Sequence, residues 1–231
     1  MSIAENTPLI VAIDGPAGSG KSTIARLLAG KLGIPYLNTG AMYRALALSA
    51  MEHETLVEEQ ALVSRLASCG LDMRYDGRET RVFLGERDVT EAVRRDEVGV
   101  MASRVSVFPA VRAELVRRQQ QLGQEWGGVV EGRDIGTVVF PDVQHKFFIT
   151  ASVEERAERR ARELEQLGYE ADREQIQRDV AERDQRDAER EASPLRIAPG
   201  AVVIDTSGKE PSVVLGLLLE YIDILNQARK S

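Results

Sequence analysis

Residues 15–23, "GPAGSGKST", match the pattern G-x-x-x-x-G-K-[ST] in full. A stretch of this kind does one piece of chemistry well, which is to hold a polyphosphate. Glycines let successive backbone N–H groups turn inward around phosphate oxygens, Lys21 can reach the β and γ phosphates, and the Ser22 hydroxyl can ligate Mg²⁺. The nucleotide contacts expected on this basis are Gly15, Pro16, Ala17, Gly18, Ser19, Gly20, Lys21, Ser22 and Thr23, with Ser22 the candidate metal ligand. The bland alternative is a glycine-rich turn with a chance lysine. The apolar run before the motif and the helical spacing after it weigh against that. No N-K-x-D tetrapeptide occurs, which disfavours a GTP switch, and no signature segment of a coupling ATPase is found. A strand ending in Asp that could serve as a second Mg²⁺ contact is seen only in "AVVID", at Asp205. A small-molecule kinase using ATP is the class left standing.

Such a kinase needs a second site that holds an acceptor in line with the γ-phosphate, and it supplies mostly positioning and positive charge. Three segments qualify: "NTGAMYR" (38–44), "EGRDIGTVVFPD" (131–142) and "AERDQRDAERE" (181–191). The last has eight charged residues in eleven and is net negative, which makes it poor as a simple anion patch. At about 100° per residue in a helix, however, Arg183, Arg186, Asp187 and Arg190 fall within one stripe roughly 100° wide. Glu182, Gln185, Ala188 and Glu189 lie off it. The stripe is therefore expected to face the substrates, with Arg183, Arg186 and Arg190 near the transferring phosphoryl group. No general base stands out, and none is required when the acceptor oxygen is already an ionised phosphate oxygen.

These segments need elements to hold them. "LIVAI" (9–13) is a short apolar run that breaks at Asp14, as a buried parallel strand entering a loop would. A helix from about Lys21 to Leu32 follows and stops at Gly33. "IPYL", "GVVE" (128–131), "KFFIT" (146–150) and "AVVID" (201–205) are four further strands, alternating with helices. "AMYRALALSAMEHE", a region from Val89 to Gly123, the polar stretch 152–191 and "PSVVLGLLLEYIDIL" after Pro211 all read as helical. Between 71 and 89 the pattern alternates around Gly77 and Gly85, which predicts a small antiparallel hairpin. The sum is an α/β sheet with two insertions. "NTGAMYR" and "EGRDIGTVVFPD" then leave the carboxyl ends of their strands, where open α/β sheets bind ligands.

Composition limits the partners. The 231-residue chain has a net charge of -7, which argues against broad binding to nucleic acid. A single cysteine, Cys69, precludes an intrachain disulfide and fits a reducing cytosol, and with two histidines it builds no Cys/His metal site. No apolar run approaches a membrane span and the amino terminus carries no export signal. Most of the 30 basic residues are arginines, so one arginine is weak evidence of function. Arg44, for example, taken alone reads as a surface residue.

Together, "GPAGSGKST", "NTGAMYRA", "EGRDIGTVVFPD" and "ERDQRDAER", in this order and at these separations, resemble the bacterial cytidylate kinases, a family of nucleoside monophosphate kinases. The resemblance covers essentially the whole chain, and "GRDIGTVVFPD" is its most specific piece. It implies a single P-loop kinase domain with a five-stranded parallel-sheet core (about 8–66, 106–152 and 192–231). It also implies a monophosphate-binding insertion with an antiparallel hairpin (about 67–105) and a helical lid (about 153–191). The implied reaction is transfer of the ATP γ-phosphate to CMP or dCMP with Mg²⁺, in a cytoplasmic monomer with small-molecule substrates and no nucleic-acid or membrane partner.

Carried over residue by residue, the resemblance places the acceptor phosphate on Arg44, Arg133 and Arg190. The base falls to Thr39, Ser103, Arg112 and Asp134. Asp187 takes the sugar hydroxyls, and Arg183 sits near sugar and phosphates. Arg156 or Arg160 would approach the ATP base or phosphates. Lys21, Arg133, Arg183, Arg186 and Arg190 are the expected catalytic set. One departure is visible: many relatives have Asp where this chain has Asn38, so Asn38 receives no catalytic role. Two alternatives stay open at this point. One is a P-loop kinase of another acceptor, such as UMP, AMP or a shikimate-like metabolite, and the other is an ATP-dependent binding module without enzymatic activity.

Overall fold

The structure is a computed structural model that describes residues 8–77, 79–166 and 168–228. At its centre lies a parallel sheet of β1 (Ile10–Asp14), β2 (Tyr36–Asn38), β6 (Gly128–Gly132), β7 (His145–Thr150) and β8 (Val202–Asp205), in the order β2-β6-β1-β7-β8. Every expected strand is present. The central strands β1 and β6 are buried on both faces, which is why their sequences are continuous apolar runs rather than alternating ones. Alternate residues nevertheless serve different layers. Ala12, Leu37 and Val130 belong to one apolar cluster, and Val11, Ile13, Val129, Phe147 and Ile149 to the other.

The first cluster is covered by α2 (Thr39–Glu52), α3 (Glu59–Ser68), α4 (Asp96–Val105) and α5 (Pro109–Trp126), and the second by α1 (Lys21–Leu32) and α8 (Pro211–Ala228). Helix α1 ends where expected, with Gly33 in the left-handed conformation at φ 67°. The chain runs from β1 to β2 on one side of the sheet and later from β6 across to β7 on the other. A crevice therefore opens beyond the carboxyl ends of β1 and β6.

Three details differ from expectation. The hairpin β3 (Leu71–Tyr75) and β4 (Thr80–Leu84) gains a two-residue third strand, β5 (Arg87–Asp88), too short to leave a periodic signal. Helix α2 starts at Thr39 rather than Ala41, because Asn38 caps it and its side chain accepts the Ala41 N–H at 3.3 Å. That structural job needs only a short acceptor side chain, and Asn and Asp do it about equally well. Finally, the 152–191 stretch is two helices, α6 (Val153–Gln166) and α7 (Arg173–Glu189), with Asp172 capping the second.

Candidate active site

Strand β1 delivers the chain into the phosphate loop through Gly15, where a Cβ would stand 2.0 Å from the Ile149 carbonyl oxygen, so only glycine fits. Gly18 and Gly20 adopt φ 74° and 82°, and Gly20 starts α1 without any side-chain cap. The first N–H groups of α1 are thus left for an anion. Lys21 is buried and donates to the Pro16 carbonyl at 2.8 Å. Burial, reinforced by the Arg133 charge, lowers its pKa to about 7. The ammonium is short of counter-charge.

Beside it, Ser22 Oγ donates to Glu131 Oε1 at 2.8 Å, and the Tyr36 hydroxyl donates to the same oxygen at 2.7 Å. Glu131 Oε2 is buried with no hydrogen-bond partner. A serine hydroxyl next to an unspent carboxylate oxygen is a hard-oxygen pair that fits Mg²⁺, which takes few protein ligands and completes its shell with phosphate and water. The expectation of Asp205 as a second contact is corrected here. That carboxylate is exposed and accepts the Ser207 N–H at 2.8 Å, whereas Glu131 stands one residue before the end of β6, directly beside β1. No group of three or more metal-ligating side chains occurs among the described residues.

The acceptor segments converge on the same crevice. Arg133 Nε donates to Asp187 Oδ2 at 2.9 Å, and Arg190 lies 4.0 Å from both Asp187 and Asp134. Arg112 pairs with Asp134 at 2.5 Å, and its guanidinium sits 5.4 Å from the centre of the Tyr43 ring. Arg183 is driven down to about 10, first by burial and then by the charge of Arg133. Arg190 is lowered by burial and by Arg112, and Arg44 by burial, with Asp96 working the other way. For Asp187, burial opposes the charge but Arg133 and Arg190 outweigh it, holding the carboxyl below its usual range. Buried cations that repel one another form a site waiting for an anion. In keeping with that, Arg183 Nε, Arg190 Nη2 and Arg112 Nε are buried without hydrogen-bond partners.

The remaining predicted residues are placed less uniformly. Thr39 is buried, and its hydroxyl donates to the Glu131 carbonyl at 2.8 Å, which ties the start of α2 to β6. Arg44 donates to the carbonyls of Val93 and Arg95, and Gly99 of α4 makes room for it, since a Cβ there would stand 2.8 Å from Nη2. Ser103 lies half-buried on α4, and its carbonyl accepts the Ser106 hydroxyl at 3.0 Å.

Helix α7 turns a different face inward from the one drawn on the sequence. Arg183 and Asp187 face in, as does Ile176, but Arg186 is exposed and its Nε donates to the Glu182 carbonyl of its own helix at 3.3 Å. In its place Asp184 faces in and forms a two-pronged bond to Arg156, at 2.9 and 2.5 Å. Arg186 immediately precedes Asp187, so the two point about 100° apart. The packing of Ile176 and Val180 on α6 centres the inward face on Asp187 and leaves Arg186 outside. Arg190 comes in because the helix has ended there, with ψ 139°.

Arg156, buried, also donates to the Ala17 carbonyl at 3.2 Å and the Ala151 carbonyl at 2.9 Å. Arg159, which no sequence signal marked, reaches the Gly18 carbonyl at 3.5 Å and Thr206 Oγ1 at 3.0 Å. Arg160 turns elsewhere, to Asp96 and Glu163. Of the three, Arg156 and Arg159 meet the phosphate loop.

A protein-family model described as cytidylate kinase matches residues 11–224. The chain is 46% identical over 216 residues to a cytidylate kinase of Bacillus pumilus, covering 93% of this chain and 96% of the relative. It is 42% identical to one of Aeromonas salmonicida, covering 93% and 94%. Among solved structures, an uncharacterized protein from Eubacterium ventriosum superposes with a TM-score of 0.51 at 13% identity, covering 93% of this chain and 98% of that one, a likeness of fold. No helix among the described residues is long and apolar enough to cross a membrane.

Proposed function

The chain belongs to the cytidylate kinase family, and from that membership we propose a division of labour among the residues of its crevice. The reaction is transfer of the γ-phosphoryl group of ATP to CMP or dCMP, giving ADP and CDP or dCDP. The other acceptors and the non-enzymatic ATP-binding module are not favoured by a family match of this extent.

The phosphate loop holds ATP, with Lys21 leaving the Pro16 carbonyl for the β and γ phosphates. Mg²⁺, when bound, neutralises and orients the phosphates, and Ser22 with Glu131 would hold it. Arg44, Arg133 and Arg190 take the acceptor phosphate, whose ionised oxygen attacks without a general base. Arg183 lies where negative charge spreads over the transferring oxygens, and its charge, disfavoured by burial and by Arg133, is stabilised when that negative charge arrives. Arg112 and Asp134 read cytosine, whose N3 accepts and whose amine donates, and Thr39 and Ser103 complete the base pocket. Asp187 orients the ribose and steadies Arg133. Helices α6 and α7 act as the lid and residues 67–105 as the monophosphate insertion, closing out water that would hydrolyse ATP. The negative net charge and lone Cys69 suit a cytoplasmic protein with small-molecule partners, and the family likeness suggests a monomer.

The observation that carries this assignment is the buried Arg112–Asp134 pair standing next to Arg183 and Arg190, each with a buried nitrogen that lacks a hydrogen-bond partner, across the crevice from the phosphate loop. Incubation with Mg-ATP and CMP, dCMP, UMP or AMP, following ADP, is the direct test. CMP and dCMP should exceed UMP and AMP by at least an order of magnitude. Equal rates for UMP would overturn the assignment.

A further inference from the structure

Asp14 is the last residue of β1 and the one before the phosphate loop, yet no part of the chemistry above uses it. Its side chain is 3% exposed and makes two bonds to the other side of the crevice. Oδ1 accepts the Ile135 N–H at 2.8 Å and Oδ2 the Gly136 N–H at 2.8 Å. Ile135 opens a single π-helical turn (Ile135–Val139), a form that costs hydrogen-bond geometry and persists where something holds it.

Arg133 and Asp134 form a two-residue arch between Gly132 and this turn. One foot of the arch is fixed by the sheet, where Gly132 is paired with Asp14 in the β1–β6 ladder. The other is fixed by the Asp14 carboxylate. One residue therefore holds both ends of the segment that carries an acceptor-phosphate arginine and the base-reading carboxylate, and holds it to the strand that aims the ATP loop. Gly136 packs closely here, since a Cβ on it would stand 3.0 Å from the Ala198 Cβ and 3.3 Å from Lys146 Cδ, with Asp14 Oδ2 at ordinary contact distance, 3.4 Å.

We propose that Asp14 is a positioning residue that sets the acceptor-side arch, and with it the choice of base, relative to the phosphate loop. This rests on the kinase assignment above. It acts through the backbone of 133–136 and touches neither substrate. Asn has the same shape but can accept only one of the two N–H groups and presents its own NH₂ to the other, so Asp14→Asn breaks one buried bond and sets two donors against each other.

The test is steady-state kinetics of wild type and Asp14→Asn with Mg-ATP and CMP or UMP. The KM for CMP should rise about tenfold and the CMP to UMP preference fall by a similar factor, while the KM for ATP changes less than about threefold. A general loss of structure would move both KM values and leave the preference alone. If both KM values shift together, or the preference is unchanged, the inference fails. If wild type itself shows no preference for CMP, the kinase assignment fails instead. Should Asp14→Asn not fold, the amide exchange of the wild type decides the question by itself. As an independent readout on the wild type, the Ile135 and Gly136 amide protons should exchange with solvent as slowly as those of β6, and fast exchange would overturn the proposal.

Discussion

Arg112 and Asp134 meet as a buried ion pair, Nη2 to Oδ2 at 2.5 Å, with side chains 4% and 8% exposed. The two residues are 22 apart in the chain, on α5 and in the loop after β6, and each retains an atom free for a ligand or held only at long range. Arg112 Nε has no partner, and Asp134 Oδ1 is 4.0 Å from Arg190. Removing one partner of such a pair strands the other charge in a buried place. Asp134→Ala should therefore lower kcat/KM for CMP by about a hundredfold or more and bring the CMP to UMP ratio toward one. An unchanged ratio in a competition assay would count against base reading by this pair.

The inward face of α7 predicts a graded series. Arg190→Ala removes a cation that is 6% exposed and should reduce kcat/KM by two orders of magnitude or more. Glu189→Ala, on the exposed side, should stay within about twofold. Arg186→Ala should resemble Glu189→Ala rather than Arg190→Ala, because Arg186 bonds its own helix. Rates for the three variants at saturating ATP decide the order, and a defect in Arg186→Ala as large as that in Arg190→Ala would mean the helix rotates on substrate binding.

Asp184 should matter although it faces no substrate. It neutralises Arg156, which also supports the Ala17 carbonyl of the phosphate loop. Asp184→Ala leaves that guanidinium buried with one charge uncompensated, at a cost of about 2 kcal/mol or more. A lower melting temperature together with a raised KM for ATP is the expected outcome. Asp184→Asn, which keeps the shape and one acceptor, should show a smaller effect on both.

Asp14 gives the pH dependence a sign. Burial raises its pKa from the ordinary 3.8 to about 6, with the neighbouring Asp134 adding to the rise and the two backbone N–H groups opposing it. Between those values the folded chain binds a proton that the unfolded chain has released. The group's contribution to stability is thus fully present below 3.8 and is lost as pH rises through about 6. The stability difference between wild type and Asp14→Asn should shift by on the order of 2 kcal/mol between pH 4 and pH 7, with wild type relatively weaker at the higher pH. Urea unfolding of both proteins at the two pH values measures it, and a constant difference would refute the buried ionisation.

Much of this protein is legible in its sequence alone. The five strands, the helix after the phosphate loop and its stop at Gly33 follow from apolar runs and backbone punctuation, which are local properties of the chain. The segments that meet in the crevice were legible too, because each leaves the carboxyl end of a strand or sits in an arginine-rich helix. What local pattern could not supply was the direction of individual side chains. The choice of Asp184 over Arg186 depends on where Ile176 and Val180 pack against α6, a contact between helices. Asp205 ends its parallel strand and Glu131 stands one residue before the end of another, and only the neighbour relations of the sheet place Glu131 beside β1 and Ser22 while Asp205 stays in solvent. The two bonds of Asp14 span 121 and 122 residues. A helical or strand period describes how a residue stands to its near neighbours along the chain. Which carboxylate meets which distant amide is decided when the sheet closes, and the choice of base is proposed to depend on that closure.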